Sequence, residues 1–323
     1  MPEIGRKESA ILRVLGQHNV PLGAAAIARE LKSYGIELTE RAVRYHLQAL
    51  DEAGLTRSGG RNGRFLTEAG RSELDNARVT DKVALAFARL ETLAYLTTFD
   101  PATGRGRVVL NVSLFSRGEF DQALRVMRPV FLSRFATSDL VAIFQPGQKV
   151  GEEVIPRGMI GLGTVCSATI NGVLVHAGIP VHSEFGGLVE VSGHEPVRFT
   201  DVVSYRGSSI DPVEVFIKSR STSAGAAATT GRGKIGAGFR TCPAAARDHL
   251  LRLLDDLAPW HLRGAVAVGL PGQSLMEMEV GLDRVGVVVC AGLNPVAAAE
   301  EAGLATQNKA LATVFEYTDL QPV

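Results

Sequence analysis

The tripeptide Pro-Gly-Gln occurs at 146–148 and again at 271–273, 125 residues apart, each time closing a short apolar run. The surroundings repeat too. VVLNVSLF, a helical EFDQALRVMRPVF, LVAIFQPGQ and the glycine-flanked GVLVHAGIP follow one another in the first copy. GKIGAGF, AAARDHLLRLLDDL, AVAVGLPGQ and GVVVCAGLNP follow in the second. Both read as strand, amphipathic helix, strand with turn, then buried strand, the mark of an internal duplication. Gly172, Val173, Val175, Ala177 and Gly178 align with Gly286, Val287, Val289, Ala291 and Gly292 at a spacing of 114. That spacing calls for an 11-residue insertion in the first copy between Lys149 and Ile170. SEFGGL (183–188) resembles AEEAGL (299–304). The expectation is an α/β (α+β) body of two related halves, about 106–218 and 233–323, with a pseudo-twofold cleft suited to a small ligand. SRSTSAGAAATTGR (219–232) reads as the flexible connection between them.

Composition limits what such a chain can be. Its 323 residues leave room for two or three domains, and 46% apolar with 21% charged residues is a soluble globular profile. Lys plus Arg and Asp plus Glu are 34 each, so no global charge points to nucleic acid or membrane. No run of about 18 apolar residues exists, and MPEIGRKESAILRVLGQ lacks a signal-peptide core. Three cysteines without CxxC spacing argue against a disulfide framework and for a reducing cytoplasm.

Residues 1–78 carry a different signature. Apolar residues at Ile4, Ile11, Val14 and Leu15, at Ala24, Ile27, Ala28 and Leu31, and at Val43, Leu47 and Leu50 each mark one helix face. Pro21, Gly23 and Gly35 fall at the breaks, and Thr39 is placed to cap the third helix with Glu40 at its positive end. With Val43, Leu47 and Leu50 inward, that helix presents Glu40, Arg41, Arg44, Tyr45 and Gln48 outward. Such side chains reach base edges and phosphates. LTRSGGRNGRFLT (55–67) follows as a hairpin whose tip offers Arg57, Arg61, Asn62 and Arg64. From Arg41 to Arg71 there are six arginines against Asp51, Glu52 and Glu68. Three helices and a basic hairpin form an N-terminal winged helix-turn-helix domain, expected to bind double-stranded operator DNA through Thr39 and these residues. Residues 79–105 are a linking helix and turn. Val83, Phe87, Leu90, Leu93 and Ala94 give the helix an apolar face that packs on the body, connects the modules or pairs with a copy of itself.

The remaining motifs are weaker. GRGKIGAG (231–238) contains G-x-G-x-x-G but follows no strand, so a tight turn suits it better than a dinucleotide site. Cys166, His176, His182, Glu184 and His194 lie within 29 residues, yet their spacing fits no ligand pattern, so no metal is expected. Asp201, Asp211 and Glu214 read as turn carboxylates. Arg157, Arg206, Lys234 and Arg240 stand beside glycines, a combination that binds small anions. A rival reading makes the body enzyme-like, with Cys166, His182 and Glu184 as a Cys/His site. Another makes the head a protein-contact module.

At 158–217 the string GMIGLGTVCSATINGVLVHAGIPVHSEFGGLVEV…RFTDVVSYRGSSIDPVEVFI resembles the regulatory domain of the NrpR family, repressors of nitrogen-assimilation genes. The resemblance continues through GKIGAGFRTCPAAARD (233–248) and VGVVVCAGLNPVAAAEEAG (285–303), and so covers most of 106–320. It implies a cytoplasmic homodimeric repressor without enzymatic activity or cofactor, released from DNA by the small acidic metabolite 2-oxoglutarate. Residue chemistry and repeat position nominate Asn171, Ser183, Arg206, Ser208, Arg240 and Asn294 as the ligand-binding set.

Overall fold

A computed structural model describes residues 5–18, 20–32, 35–60, 63–75, 85–151 and 153–323. The chain divides into two units, Met1–Lys82 and Val83–Val323. Ile4, Arg61, Asn62 and Val83, singled out above, lie outside the described residues.

In the first unit, helices α1 (Arg6–Gly16), α2 (Ala24–Leu31) and α3 (Glu40–Glu52) precede strands β1 (Thr56–Ser58) and β2 (Arg64–Leu66) and helix α4 (Glu68–Asp75). Ile11, Val14, Leu15, Ile27, Leu31, Val43, Leu47 and Leu50 form one core, the residues whose spacing marked the helix faces. Thr39 caps α3, its hydroxyl accepting the Ala42 N–H at 3.2 Å. β1 and β2 pair antiparallel, and Leu22 exchanges both backbone hydrogen bonds with Arg64 to add a third strand position. Gly63 makes this possible. At φ +115° it passes so close to Leu22 that a Cβ would lie 2.1 Å from the Leu22 carbonyl oxygen.

The second unit opens with α5 (Leu85–Leu96), β3 (Arg107–Ser116), α6 (Phe120–Phe131), β4 (Leu140–Phe144) and the small hairpin β5 (Lys149–Val150) and β6 (Glu153–Val154). It continues with β7 (Met159–Val165), α7 (Ala168–His176), β8 (His182–Ser192), β9 (Glu195–Ser204), α8 (Pro212–Lys218) and α9 (Ala224–Thr230). The second half follows as β10 (Arg232–Pro243), α10 (Arg247–Leu257), β11 (Ala265–Val268), β12 (Arg284–Cys290), α11 (Asn294–Glu301), β13 (Thr306–Glu316) and β14 (Gln321–Pro322).

One spacing relates the halves. β3 and β10, β4 and β11, and β7 and β12 all begin 125 residues apart, the spacing of the two Pro-Gly-Gln turns. This corrects the spacing of 114 and removes the 11-residue insertion. GVLVHAGIP is not a strand: its first residues complete helix α7, and β12 matches β7 instead. The reason is physical. Residues Ala168 to Leu174 are all buried, so the helix has no polar face and shows no helical period. SEFGGL likewise begins a strand, β8, whereas AEEAGL ends helix α11. The stretch 219–232 is also corrected, because α9 occupies its centre. Ala224 and Ala227 are buried there, and Glu301 accepts the Ala224 and Gly225 N–H groups at 2.7 and 2.9 Å.

Two five-stranded sheets result, ordered β13-β3-β7-β4-β14 and β11-β12-β10-β8-β9, antiparallel throughout. Each contains three strands of its own half and two from the other. β8 and β9 complete the second sheet, and β13 and β14 the first. GRGKIGAG runs into β10, beside antiparallel neighbours, and opens no helix. α5 turns Leu90, Leu93 and Ala94 into the body, and its Arg89 guanidinium donates to the carbonyls of Leu311 and Ala312, the latter at 2.8 Å.

Candidate functional sites: a recognition helix and a buried arginine

Because Val43, Leu47 and Leu50 anchor α3 inward, Arg41, Arg44, Tyr45 and Gln48 are exposed on its other side. Arg44 pairs with Glu40 one turn earlier, and Gln48 donates to Glu52 at 3.2 Å. These are exposed, exchangeable contacts. A groove of about 520 Å³ runs between this helix and the hairpin, lined by Leu22, Ala24, Arg44, Leu47, Gln48, Gly60, Gly63 and Arg64. Arg57 lies over the Phe65 ring, 5.2 Å from its centroid. Arg64 is more constrained than its sequence position suggests. Its Nε donates to Asp51 at 2.7 Å and Nη1 to Ser58 at 3.3 Å, so it ties the hairpin to α3.

In the body, Arg240 on β10 is the largest fully buried side chain and only 1% exposed. Its Nε donates to the Asn171 amide oxygen, its Nη2 to the Ser167 hydroxyl at 2.9 Å, and its Nη1 reaches the Gly238 carbonyl only at 3.5 Å. Asn171 in turn donates to Ser183 at 2.9 Å, and Ser183 pairs with Arg240 in the β8–β10 ladder. All these partners are neutral. Among the described residues no carboxylate oxygen lies within ion-pair distance of the guanidinium. Asp211, Tyr205 and Cys166 surround it electrostatically. Burial pushes the Asp211 carboxyl up to about 6, against the Val213 and Glu214 N–H groups and Arg240, which favour its ionised form. Burial likewise raises the Cys166 thiol to about 12 and the Tyr205 hydroxyl above its ordinary range, while lowering Arg240.

The nominated ligand residues therefore separate. Asn171, Ser183 and Arg240 join in one network. Arg206 instead lies over the Phe87 ring at 5.1 Å, and Ser208 closes its own loop on Ile210. Asn294 is a correction: fully buried, it accepts the Gly236 N–H at 2.8 Å and donates to the Gly236 and Phe135 carbonyls at 2.9 Å. No donor is left for a ligand. Thr169, its counterpart 125 residues earlier, grips Val109 the same way, accepting its N–H at 2.9 Å. Ser167, Tyr205 and Asp211 were not nominated. Asp211 looked like a turn residue, and it does cap α8, accepting the Val213 N–H at 2.9 Å. Only the fold reveals its second neighbour.

Residues 83–322 match the family model of NrpR regulatory domains NRD1 and 2. The chain belongs to the NrpR family. The global nitrogen regulator NrpRI of Methanosarcina mazei is 35% identical over 322 residues, spanning 100% of this chain and 99% of the relative. The global nitrogen regulator NrpR of Methanococcus maripaludis is 31% identical over 294 residues; this chain spans 51% of its length. The crystal structure of a nitrogen repressor-like protein from Methanococcus jannaschii matches with a TM-score of 0.62 and 25% identity, over 74% of this chain and 98% of that one. Residues 9–74 match the ribonuclease R winged-helix domain, in agreement with the three helices and hairpin of the head. NrpR proteins are nitrogen regulators rather than enzymes, which removes the Cys/His alternative. The geometry agrees: a thiol raised to about 12 at Cys166 supplies no thiolate at neutral pH, and the Glu184 carboxylate is engaged by Thr241 at 2.9 Å. Among the described residues no cluster of His, Cys, Asp and Glu could hold a metal, and no helix is long and apolar enough to cross a membrane.

Proposed function

We propose that this NrpR protein is a DNA-binding transcriptional repressor of nitrogen-assimilation genes, acting in the cytoplasm as a homodimer and relieved by a small dicarboxylate, with 2-oxoglutarate the candidate. The observation that carries the effector half is Arg240, a buried guanidinium satisfied only by neutral groups. Burying an unpaired cation is costly, and a carboxylate arriving there offsets that cost with charge-assisted hydrogen bonds. Asn171, Ser167 and Ser183 supply neutral donors beside it. The DNA half rests on Arg41, Arg44, Tyr45 and Gln48 exposed along α3. A dimer would set two such helices on half-sites about 34 Å or a multiple apart. An effector that favours the DNA-incompetent arrangement then weakens operator affinity by population shift.

The test is binding of the full chain to its own upstream DNA, with and without millimolar 2-oxoglutarate, at two salt concentrations. Specific, salt-dependent binding that 2-oxoglutarate weakens is expected. Binding indifferent to 2-oxoglutarate removes the effector, and no binding at either salt removes the DNA function. Arg44→Ala should weaken operator binding about tenfold, within the range of one good base contact, and leave the melting temperature unchanged. Unaltered affinity and selectivity would take α3 out of the interface.

A further inference from the structure

The two halves treat one repeat position differently. Gly186 of β8 and Leu311 of β13 are 125 residues apart. At Gly186 the strand stays paired, with Gly238, the register shift of the β8–β10 ladder falling beyond Phe185, and an added Cβ would lie 2.8 Å from Pro212 at the start of α8. At Leu311 the ladder with β3 breaks between Lys309 and Thr313, and Leu311 itself takes φ +51°, a conformation that disfavours an L side chain. The same motif thus holds two backbone shapes in one molecule, and the strained one belongs to the half that faces α8 through a carboxylate.

Side chains from three elements hold this bulge. Glu214 of α8 accepts the Ala310 N–H, Asn111 of β3 accepts the Leu311 N–H at 3.1 Å, and Arg89 of α5 donates to the Leu311 and Ala312 carbonyls. The bulge also borders the Arg240 network, because the Leu311 backbone faces the Cys166 thiol, which lies beside Arg240 and Asp211. Asp211 caps the helix that carries Glu214. α5 is the element that follows the winged helix along the chain. A segment in a disfavoured conformation, fixed only from outside, is suited to change state when one anchor moves.

We propose that the bulge 310–312 is the switch element coupling the Arg240 network to α5, with Glu214 and Arg89 as positioning residues on its two sides. This rests on the reading of that network as a dicarboxylate site. An anion on Arg240 disturbs Asp211 and with it the α8 cap, Glu214 shifts its hold on Ala310, and the bulge changes its grip on Arg89. Both sites then bias one two-state element, which a coupling route requires.

The experiment uses the full chain, with 2-oxoglutarate as probe. Calorimetry measures its binding, and fluorescence anisotropy measures operator affinity with and without it. In Leu311→Gly, Arg89→Gln and Glu214→Ala, 2-oxoglutarate binding and ligand-free operator affinity should each stay within about twofold of wild type. The factor by which 2-oxoglutarate weakens operator binding, of the order of 5- to 150-fold for such couplings, should fall at least about threefold. Glu214→Gln retains the acceptor oxygen and Leu311→Ala retains the side-chain restraint, so both should keep the wild-type factor. Normal 2-oxoglutarate binding with an unchanged factor in Leu311→Gly and Glu214→Ala overturns the switch and leaves the anion site standing. Absence of 2-oxoglutarate binding to the wild-type chain overturns the anion site and the switch together.

Discussion

The two halves of the body share strand order and spacing but not chemistry. Arg240 pairs with Val287 on β12 as Ser113 pairs with Leu162 on β7, 125 residues earlier, so Arg240 stands where the first half has the buried Ser113; Asn171 corresponds to Val296, and Ser183 to Asn308. One half keeps a small hydroxyl there, two residues before Phe115, which packs edge-on against Phe120 with ring centroids 5.8 Å apart. The other gives the same strand position to a guanidinium. By contrast, the clamp made by Thr169 and Asn294 survives in both. Groups that secure the frame are retained in both halves, while a position that one half gives to a small buried hydroxyl is given in the other to a buried cation.

The largest effect should come from the apolar side. Phe115→Ala should destabilise the body by about 3–5 kcal/mol through a core cavity, read by urea denaturation; a loss below about 1 kcal/mol would mean the position is not a packing site. Next comes Arg240→Met, which removes the cation that the first half lacks at this position. It should reduce 2-oxoglutarate binding at least about 100-fold, about 2.7 kcal/mol, with stability unchanged or raised because a costly buried cation is gone. Unaltered binding by calorimetry would show that the asymmetry does not serve this ligand. The shared clamp should cost less: Asn294→Ala removes the side-chain partner of the Gly236 N–H and the Phe135 carbonyl, while the Gly236 carbonyl keeps the Ala291 N–H at 2.9 Å; about 1–3 kcal/mol is expected, with Thr169→Val the milder of the two. Equal losses would make the clamps equivalent rather than graded.

The smallest effect is pH-dependent. The Asp211 carboxyl is raised from 3.8 to about 6 by burial, so the folded body binds its proton more readily than the unfolded chain does. Its contribution to stability is fully present below about pH 4 and is lost as pH rises to about 6. Asp211→Asn, which has no such proton to lose, should gain more over wild type at pH 8 than at pH 5 in thermal melts. The same gain at both values would remove Asp211 as the titrating group.

Much of this was legible in the sequence. The head was readable because each helix has one buried face and one exposed face, so Val43, Leu47 and Leu50 and the outward Arg44 and Gln48 announce themselves by period. The duplication was readable from its turns, since Pro146-Gly147-Gln148 and Pro271-Gly272-Gln273 keep the true spacing of 125. α7 hid its nature because it is buried around its circumference, and α9 because its small residues resemble a linker. Of the buried network, Asn171, Ser183 and Arg240 were recoverable from residue type. Asp211 and Ser167 were not, because their meeting with Arg240 joins positions 29 and 73 residues apart along the chain. The exchange of β8 and β13 between sheets left no local trace at all.

That exchange also sets an order of events during synthesis. β3 takes β7 on one side as soon as β7 exists, but its other neighbour is β13, with Thr306 paired to Phe115 across almost 200 residues of chain. At about 5–20 residues per second, a ribosome delivers that partner roughly 10–40 s after β3 itself. Throughout that interval the nascent first half presents a bare β3 edge, a template for a neighbouring chain's strand as much as for its own. β8, made early, waits in the same way for β10. Neither half is a finished object before the other, and a nascent-chain binding factor that covers β3 would act in that window.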